Sequence, residues 1–342
     1  MTTERAFLDE LSIIVVTWNG DELLANCLQS LAQSCGSIPE IVVVDNANQG
    51  STRAITERYV NVKYIPVANN VGFSGGNNIG LTGCTRKYVL LLNNDTIVHQ
   101  QPFSTMIAYL KDHPDVAVVQ GRMNLPLMGN VLDACGIMMS RCGILMERYV
   151  HKPSTSSIPS SYVLAAKGAC LLFDRNVLND VGGLFHDHFF NNHEETDFCH
   201  RVWLSGRKVA YVDTSAIDHL CNQTVRRIRR VEFEAQNISN QLFSYLTLFG
   251  LRGLLTVLPL FVLLQSLIAL RFLLCGQTQY CHVIAGAICR LWRRGKLVAQ
   301  VRRDIQASRR ITDSELFKII IPQNSLSYVW LWLRGRYEEF WR

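Results

Sequence analysis

The chain has 342 residues, 48% of them hydrophobic and 18% charged, with 22 Gly and 9 Pro. That is too apolar and too mixed for a disordered, collagen-like or low-complexity chain, and long enough for two domains or one large α/β domain with an appendage. The net charge of +6 is uneven: residues 222–342 hold 18 Lys/Arg against 7 Asp/Glu and residues 1–221 are net acidic, so the basic tail calls for an anionic partner, either nucleic acid or a membrane face.

Leu11 to Val16 (LSIIVV) is a β-branched run that predicts a strand buried on both faces. A helical pattern follows, with Leu23, Leu24, Cys27, Leu28 and Leu31 on one side. Ile41 to Val44 predicts a second strand ending at Asp45, Thr52 to Tyr59 a helix, and Val62 to Ile65 a strand. Gly75 to Gly83 reads as a short helix, Tyr88 to Leu92 as a strand ending in Asn93-Asn94-Asp95, and Pro102 to Leu110 as a helix. Val116 to Val119, Val163 to Phe173 and Val209 to Val212 are further strands. Asn176 to Val181 and Glu194 to Leu204 are helices, and His219 is expected in a loop. Such alternation predicts right-handed βαβ units, an α/β fold and a mostly parallel sheet. In such sheets ligands bind beyond the carboxyl ends of the strands, where Thr17, Asp45 and Asp95 stand.

Each polar cluster has two readings. Asp45 can accept hydrogen bonds from a base or a ribose, but Asp also serves turns and caps. Asn69 to Asn78 is rich in Gly and Asn and permits close approach of backbone to a ligand; it is neither a dinucleotide fingerprint nor a P-loop. Asp95 suits a divalent cation shared with a diphosphate, or simply a turn. Glu194, Glu195 and Asp197 crowd three acids into four positions, which raises their pKa values and suits a proton acceptor; a solvated helix start looks the same. His219 is a candidate metal ligand or a structural histidine. The eleven cysteines show no metal or disulfide spacing and read as reduced thiols, and residues 1–10 carry no long apolar run, so no cleaved signal peptide is expected.

Taken together and in order, SIIVVTWNG (12–20), IVVVDNAN (41–48), NNVGFSGGNN (69–78), LLLNNDT (90–96), KGACLLFDRNVLNDVGGLF (167–185), FFNNHEETDFCHRVWLSGRKV (189–209) and His219 resemble the family 2 glycosyltransferases. The nearest likeness is to the rhamnosyltransferase-like members of bacterial surface-polysaccharide pathways. The resemblance implies a GT-A fold over 1–221. It places Thr17, Asn19, Asp45, Asn70, Gly75, Gly76, Asn93 and Asn94 around a nucleotide-sugar donor. It gives Asp95 and His219 to Mg²⁺ or Mn²⁺, and makes Glu195, beside Glu194 and Asp197, the base of an inverting transfer. Asn93 stands where the family has the first acid of its DxD, and Glu195 where it has Asp. The expected donor is dTDP-rhamnose or a UDP-sugar, and the expected acceptor a lipid-linked glycan. Two alternatives remain at this stage: a catalytically inactive sugar-nucleotide-binding scaffold, and a nucleotidyltransferase of similar topology.

Residues 222–342 are expected to form a separate basic, apolar, helical tail. Arg226, Arg227, Arg229 and Arg230 precede an apolar stretch, Leu242 to Cys275, in which 18 uncharged residues separate Arg252 from Arg271. As a helix those 18 residues span about 27 Å, near the minimum for a crossing. Pro259, Gln265 and positive charge on both flanks favour interfacial or re-entrant helices at the cytoplasmic face of the inner or plasma membrane. The tail lacks a stacking-aromatic groove or a DNA-binding motif, so no nucleic acid is expected; a homo-oligomer is left open.

Overall fold

The computed structural model describes residues 3–36, 38–48, 50–221, 230–322, 324–336 and 340. The first half runs α1 (Thr3–Leu8), β1 (Leu11–Thr17), α2 (Asp21–Cys35), β2 (Glu40–Asp45), α3 (Gly50–Thr56), β3 (Val62–Pro66), α4 (Gly72–Gly83) and β4 (Tyr88–Leu92). It continues with β5 (Thr96–Val98), α5 (Phe103–Asp112), β6 (Val116–Gln120), β7 (Met123–Leu125), β8 (Val131–Leu132), β9 (Ile137–Met139), β10 (Leu145–Glu147) and β11 (Ser161–Tyr162). Next come β12 (Cys170–Asp174), α6 (Val177–Val181), α7 (Glu194–Leu204), β13 (Lys208–Tyr211) and β14 (Ile217–His219). The rest is helical: α8 (Arg230–Leu248), α9 (Leu251–Thr256), α10 (Leu258–Leu274), α11 (Gln279–Arg293), α12 (Gly295–Ser308), α13 (Asp313–Ile320) and α14 (Ser325–Leu333).

Eight strands form the main sheet in the order β11-β13-β6-β12-β4-β1-β2-β3. β1 pairs in parallel with β2 and β4, β2 with β3, and β6 with β13. β12 lies antiparallel between β4 and β6, and β11 antiparallel on β13, so the sheet is mixed. The expected strand from Val163 shortens to Cys170–Asp174, because Val163 and Ala165 pair instead with Val209 and Ile137. β1 is apolar throughout because both of its faces are covered: Ile13 and Val15 meet Leu24, Leu28 and Leu31 of α2, while Ile14 joins the opposite core. The chain goes from β1 to β2 and β3 on one side, then returns to β4 on the other. That reversal opens a crevice at the carboxyl ends of β1 and β4.

The Gly-rich segment is the first half of α4, which starts at Gly72. Its glycines let the helix lie against the sheet. A Cβ on Gly76 would stand 2.7 Å from Val16 Cγ1, and one on Gly80 2.5 Å from Ile14 Cγ2. Gly80→Ala would gain about 1 kcal/mol of helix propensity but lose about 1–3 kcal/mol to overpacking against a central strand. A net loss of stability, read as a lower urea midpoint, is the expected result.

A second sheet, ordered β5-β14-β7-β8, stands beside the main one. His219 therefore closes a strand and is not in a loop: it pairs with Thr96 across β14 and β5. On the far side of position 222, α8 docks on the sheet domain, and one buried cluster holds Phe198 and Trp203 together with Tyr245, Phe249, Phe261 and Leu316. The apolar stretch from Leu242 thus divides: Phe243 and Leu248 are buried within the protein, whereas α9 and α10 expose Leu251, Leu255, Leu263, Leu267 and Leu274. Leu251–Leu274 is long and apolar enough to cross a membrane, with only 22% of its most apolar window buried. Arg226, Arg227 and Arg229 lie outside the described residues.

Candidate active site

At the crevice the strand ends stand in a row. Thr17 and Asp45 are register partners, and the Asn94 amide donates to Thr17 Oγ1 at 2.9 Å. Asp45 is buried and accepts from the Tyr64 hydroxyl (2.8 Å) and the Ala47 N–H (3.0 Å). Asn70 accepts from the Asn46 amide and the Gly72 N–H, which fixes the turn into α4. Gly72 has φ +75° and its Cα faces the Phe190 carbonyl with no room for a Cβ. Asn19 takes a left-handed φ of 52°, the conformation Asn tolerates best after Gly. Asn93 anchors through its backbone N–H to Ala169. Gly75 and Gly76 are buried, and a Cβ on them would meet Val71 and Val16, so their small size also serves packing.

Beyond β4 the structure brings Asp95 to His219. Strand pairing of β5 with β14 joins segments far apart in sequence in one step, His219 pairing with Thr96, and the Leu220 N–H donates to the Asp95 carbonyl. His219 Nε2 stands 3.4 Å from Asp95 Oδ1, at the long edge of hydrogen bonding. That oxygen is buried and has no hydrogen-bond partner. On its other side the His219 ring meets Asp133 Oδ2 through Nδ1 at 2.8 Å. Asp133 also takes the Lys167 ammonium on Oδ1 at 2.6 Å, and Lys167 reaches Glu147 at 3.1 Å.

Burial opposes charge on His219, but the Asp133 and Asp95 carboxylates overcome it and hold the imidazole pKa up at about 11. Burial likewise opposes charge on Asp133, and Lys167 and His219 reverse the sign, holding its carboxyl far below the usual range. A buried carboxylate oxygen whose one close neighbour is an imidazole nitrogen at ion-pair distance, with no well-formed hydrogen bond, fits a hard divalent cation, which would displace the proton from Nε2. Asp133, His219 and Cys221 also lie close enough to share an ion. Both Asp133 oxygens are already engaged, however, so Asp133 suits the supporting shell that orients a ligating histidine through its other nitrogen. Asp133→Asn is expected to weaken Mn²⁺ binding by about 10–100-fold, read by calorimetry.

Glu194 and Glu195 open α7. Glu194 is 3% exposed, and each glutamate has a buried Oε2 without a hydrogen-bond partner. Burial pushes the Glu194 carboxyl up, and the Glu195 charge pushes it further. Burial also raises Glu195, while the nearby Lys167 ammonium pulls it back. Lys167 therefore acts electrostatically on Glu195 as well as on the Asp133–His219–Asp95 chain. Asp197 requires a correction. It is fully buried, held by Arg201 Nε at 2.8 Å and Ser244 Oγ at 2.6 Å, and these contacts, against burial, keep its carboxyl down near 2. Such a carboxylate is a poor proton acceptor; it fixes α7 in place.

The loop before α7 is strained. Phe190, Asn192 and His193 have φ of 58°, 69° and 72°. Gln236 and Asn240 of α8 hold it, donating to the carbonyls of Phe189 and Asn191, and Asn240 also to that of Asn192 at 2.9 Å. Sequence reading missed Asp133, Lys167, Gln236 and Asn240.

Residues 12–132 match the model described as glycosyl transferase family 2, and residues 88–306 match that described as glycosyl transferase family group 2. The chain is 25% identical, over 70% of its length and 79% of the relative's, to a low-salt glycan biosynthesis hexosyltransferase of Haloferax volcanii. It is 22% identical, over 62% of its length and 76% of the relative's, to the N-acetylglucosaminyl-diphospho-decaprenol L-rhamnosyltransferase of Mycobacterium tuberculosis. Its fold is similar to that of a mannosyltransferase of Pyrobaculum calidifontis in complex with GDP-Man and Mn²⁺, with TM-score 0.50 and 17% identity over 83% of this chain and 88% of that one.

Proposed function

The chain belongs to glycosyl transferase family group 2 and is a glycosyltransferase acting on sugar nucleotides, and we propose that it moves a hexosyl group to a lipid-linked glycan in one metal-dependent, inverting displacement. The observation that carries this reading is the buried Asp95 oxygen, without a hydrogen bond and 3.4 Å from His219 Nε2. Thr17, Asn19, Asp45, Asn70, Asn93 and Asn94 ring the crevice and would hold the nucleoside. Asp95 and His219 would hold Mg²⁺ or Mn²⁺ against its diphosphate. When bound, the cation neutralises the charge that gathers on the departing diphosphate.

Glu195 takes the proton from the acceptor hydroxyl as that oxygen attacks the anomeric carbon. Its carboxyl, raised by burial, is a stronger proton acceptor than an exposed glutamate. Lys167 keeps it ionisable despite burial. A glutamate in place of the family's aspartate reaches about one methylene further. Because the single displacement uses one carboxylate and one nucleophile, the anomeric configuration inverts.

The donor reading favours dTDP-rhamnose, then UDP-sugars, supported by the rhamnosyltransferase among the relatives. The exposed apolar flank of α9 and α10, with Trp292 82% exposed and Trp330 half exposed, supports a tail that enters the interface of a membrane. Its excess of Lys and Arg would meet anionic head groups on the cytoplasmic side. A thermal-shift screen of dTDP-, UDP- and GDP-sugars with Mn²⁺ tests the donor: one nucleotide class is expected to raise the melting temperature only when the cation is present. No shift with any of them counts against the reading.

A further inference from the structure

Between α10 and α14 lies a cavity of about 590 Å³, within the range of small-molecule sites. Leu264, Leu267, Ile268, Phe272, Trp332 and Leu333 line it, with Arg271 at its edge. The wall is built: the Phe272 ring stacks on Tyr280 at 5.3 Å and 14°, and the Tyr280 hydroxyl donates to Gln265. Arg271 is the one Lys, Arg, Asp or Glu between Arg252 and Arg290. It is exposed, and among the described residues its side chain makes no hydrogen bond or ion pair. A guanidinium set alone at the rim of an apolar groove asks for an anion joined to an apolar chain, and its planar fork matches a phosphate.

The helix that lines the groove is also joined to the base loop through packed aromatic rings. Phe261 of α10 meets the Tyr245 ring edge-on at 5.5 Å, and Tyr245 meets His193, the residue before Glu194. From Phe261 to Arg271 the helix rises about 15 Å. The same helix is thus linked through Tyr245 to the base loop at one end and carries the lone cation at the other.

We propose that this groove binds the isoprenoid chain of a prenyl-diphosphate acceptor, with Arg271 on its phosphate. This rests on the lipid-linked acceptor reading above and gives that acceptor a place. Ordinary phospholipid, or a second copy of the chain, is the competing occupant.

The test uses the full-length protein in neutral detergent and geranylgeranyl diphosphate as probe, followed by tryptophan fluorescence. Saturable binding is expected. Geranylgeraniol and inorganic diphosphate, each carrying half of the recognised chemistry, are expected to bind at least tenfold more weakly. Arg271→Glu is expected to weaken the probe by at least tenfold, and Leu267→Trp, which fills the groove, to abolish binding. Both variants should keep the wild-type melting temperature and the metal-dependent hydrolysis of donor. Equal affinity in wild type and Arg271→Glu overturns the proposal. So does displacement of the probe by phosphatidylglycerol at the same concentration, or binding that requires dimerisation. Wild-type protein that binds the probe but hydrolyses no donor supports the groove and counts against the transferase chemistry, so the two failures are separable.

Discussion

Glu195→Gln is expected to lower kcat by about 10²–10⁴-fold, the usual worth of a positioned base, with little change in donor KM. The amide keeps the shape of the carboxylate, so melting temperature should stay put. The pH profile gives a second readout. Burial holds the Glu195 carboxyl above its ordinary range, and only the ionised form accepts a proton. Activity in the wild type should therefore rise with pH through that raised value and fall away below it. In Glu195→Gln the rising limb should vanish. Burial and the Glu195 charge raise Glu194 further, so it is still neutral where Glu195 ionises, and Glu194→Gln is expected to leave the limb in place and most of the turnover intact. Full turnover in Glu195→Gln, or its loss only in Glu194→Gln, would reassign the base.

Asp95→Ala is expected to lower kcat/KM by about 10³-fold or more. A cation at a developing diphosphate contributes several kcal/mol, and each 1.36 kcal/mol is about tenfold in rate. The substitution removes the carboxylate oxygen that has no hydrogen bond and only the long ion-pair contact to His219. It leaves the His219–Asp133 and Asp133–Lys167 contacts intact, so the fold has no reason to fail. Raising Mn²⁺ to millimolar concentration should not restore the rate. A steady-state titration of metal against donor turnover reads this directly. Recovery at high metal would instead leave Asp95 with a minor share of the site.

The strands that position the crevice were legible because parallel, doubly covered strands must be apolar throughout: LSIIVVT and EIVVVD admit few other structures. Thr17, Asp45 and Asp95 followed, since they end those runs. The meeting of Asp95 with His219 had no local signal. It depends on β5 pairing with β14, two three-residue strands too short for periodicity to reveal, and only the family resemblance placed it. Asp133 sits in a segment without a motif, and Lys167 opens a matched segment that says nothing of its partners, so their part in holding the imidazole was hidden. Other features had visible cues. Asp197 and Arg201 are four residues apart on a helix, the spacing of an ion pair. Gly72, Gly76, Gly80 and Gly83 recur at helical spacing, which marks close packing as readily as an anion loop. Gln236, Asn240 and Ser244 form a polar stripe at four-residue steps on α8, and that stripe is the face that grips the loop and Asp197.

The most direct test of the metal centre is a Mn²⁺ titration followed by electron paramagnetic resonance, with a nucleoside diphosphate present and no acceptor. Wild-type protein should take up one ion per chain. Asp95→Ala and His219→Ala should each weaken that ion by more than about 100-fold, and Asp133→Asn by less than either. Undiminished Mn²⁺ binding in both Asp95→Ala and His219→Ala, in chains that still fold, would contradict a cation held between those two side chains.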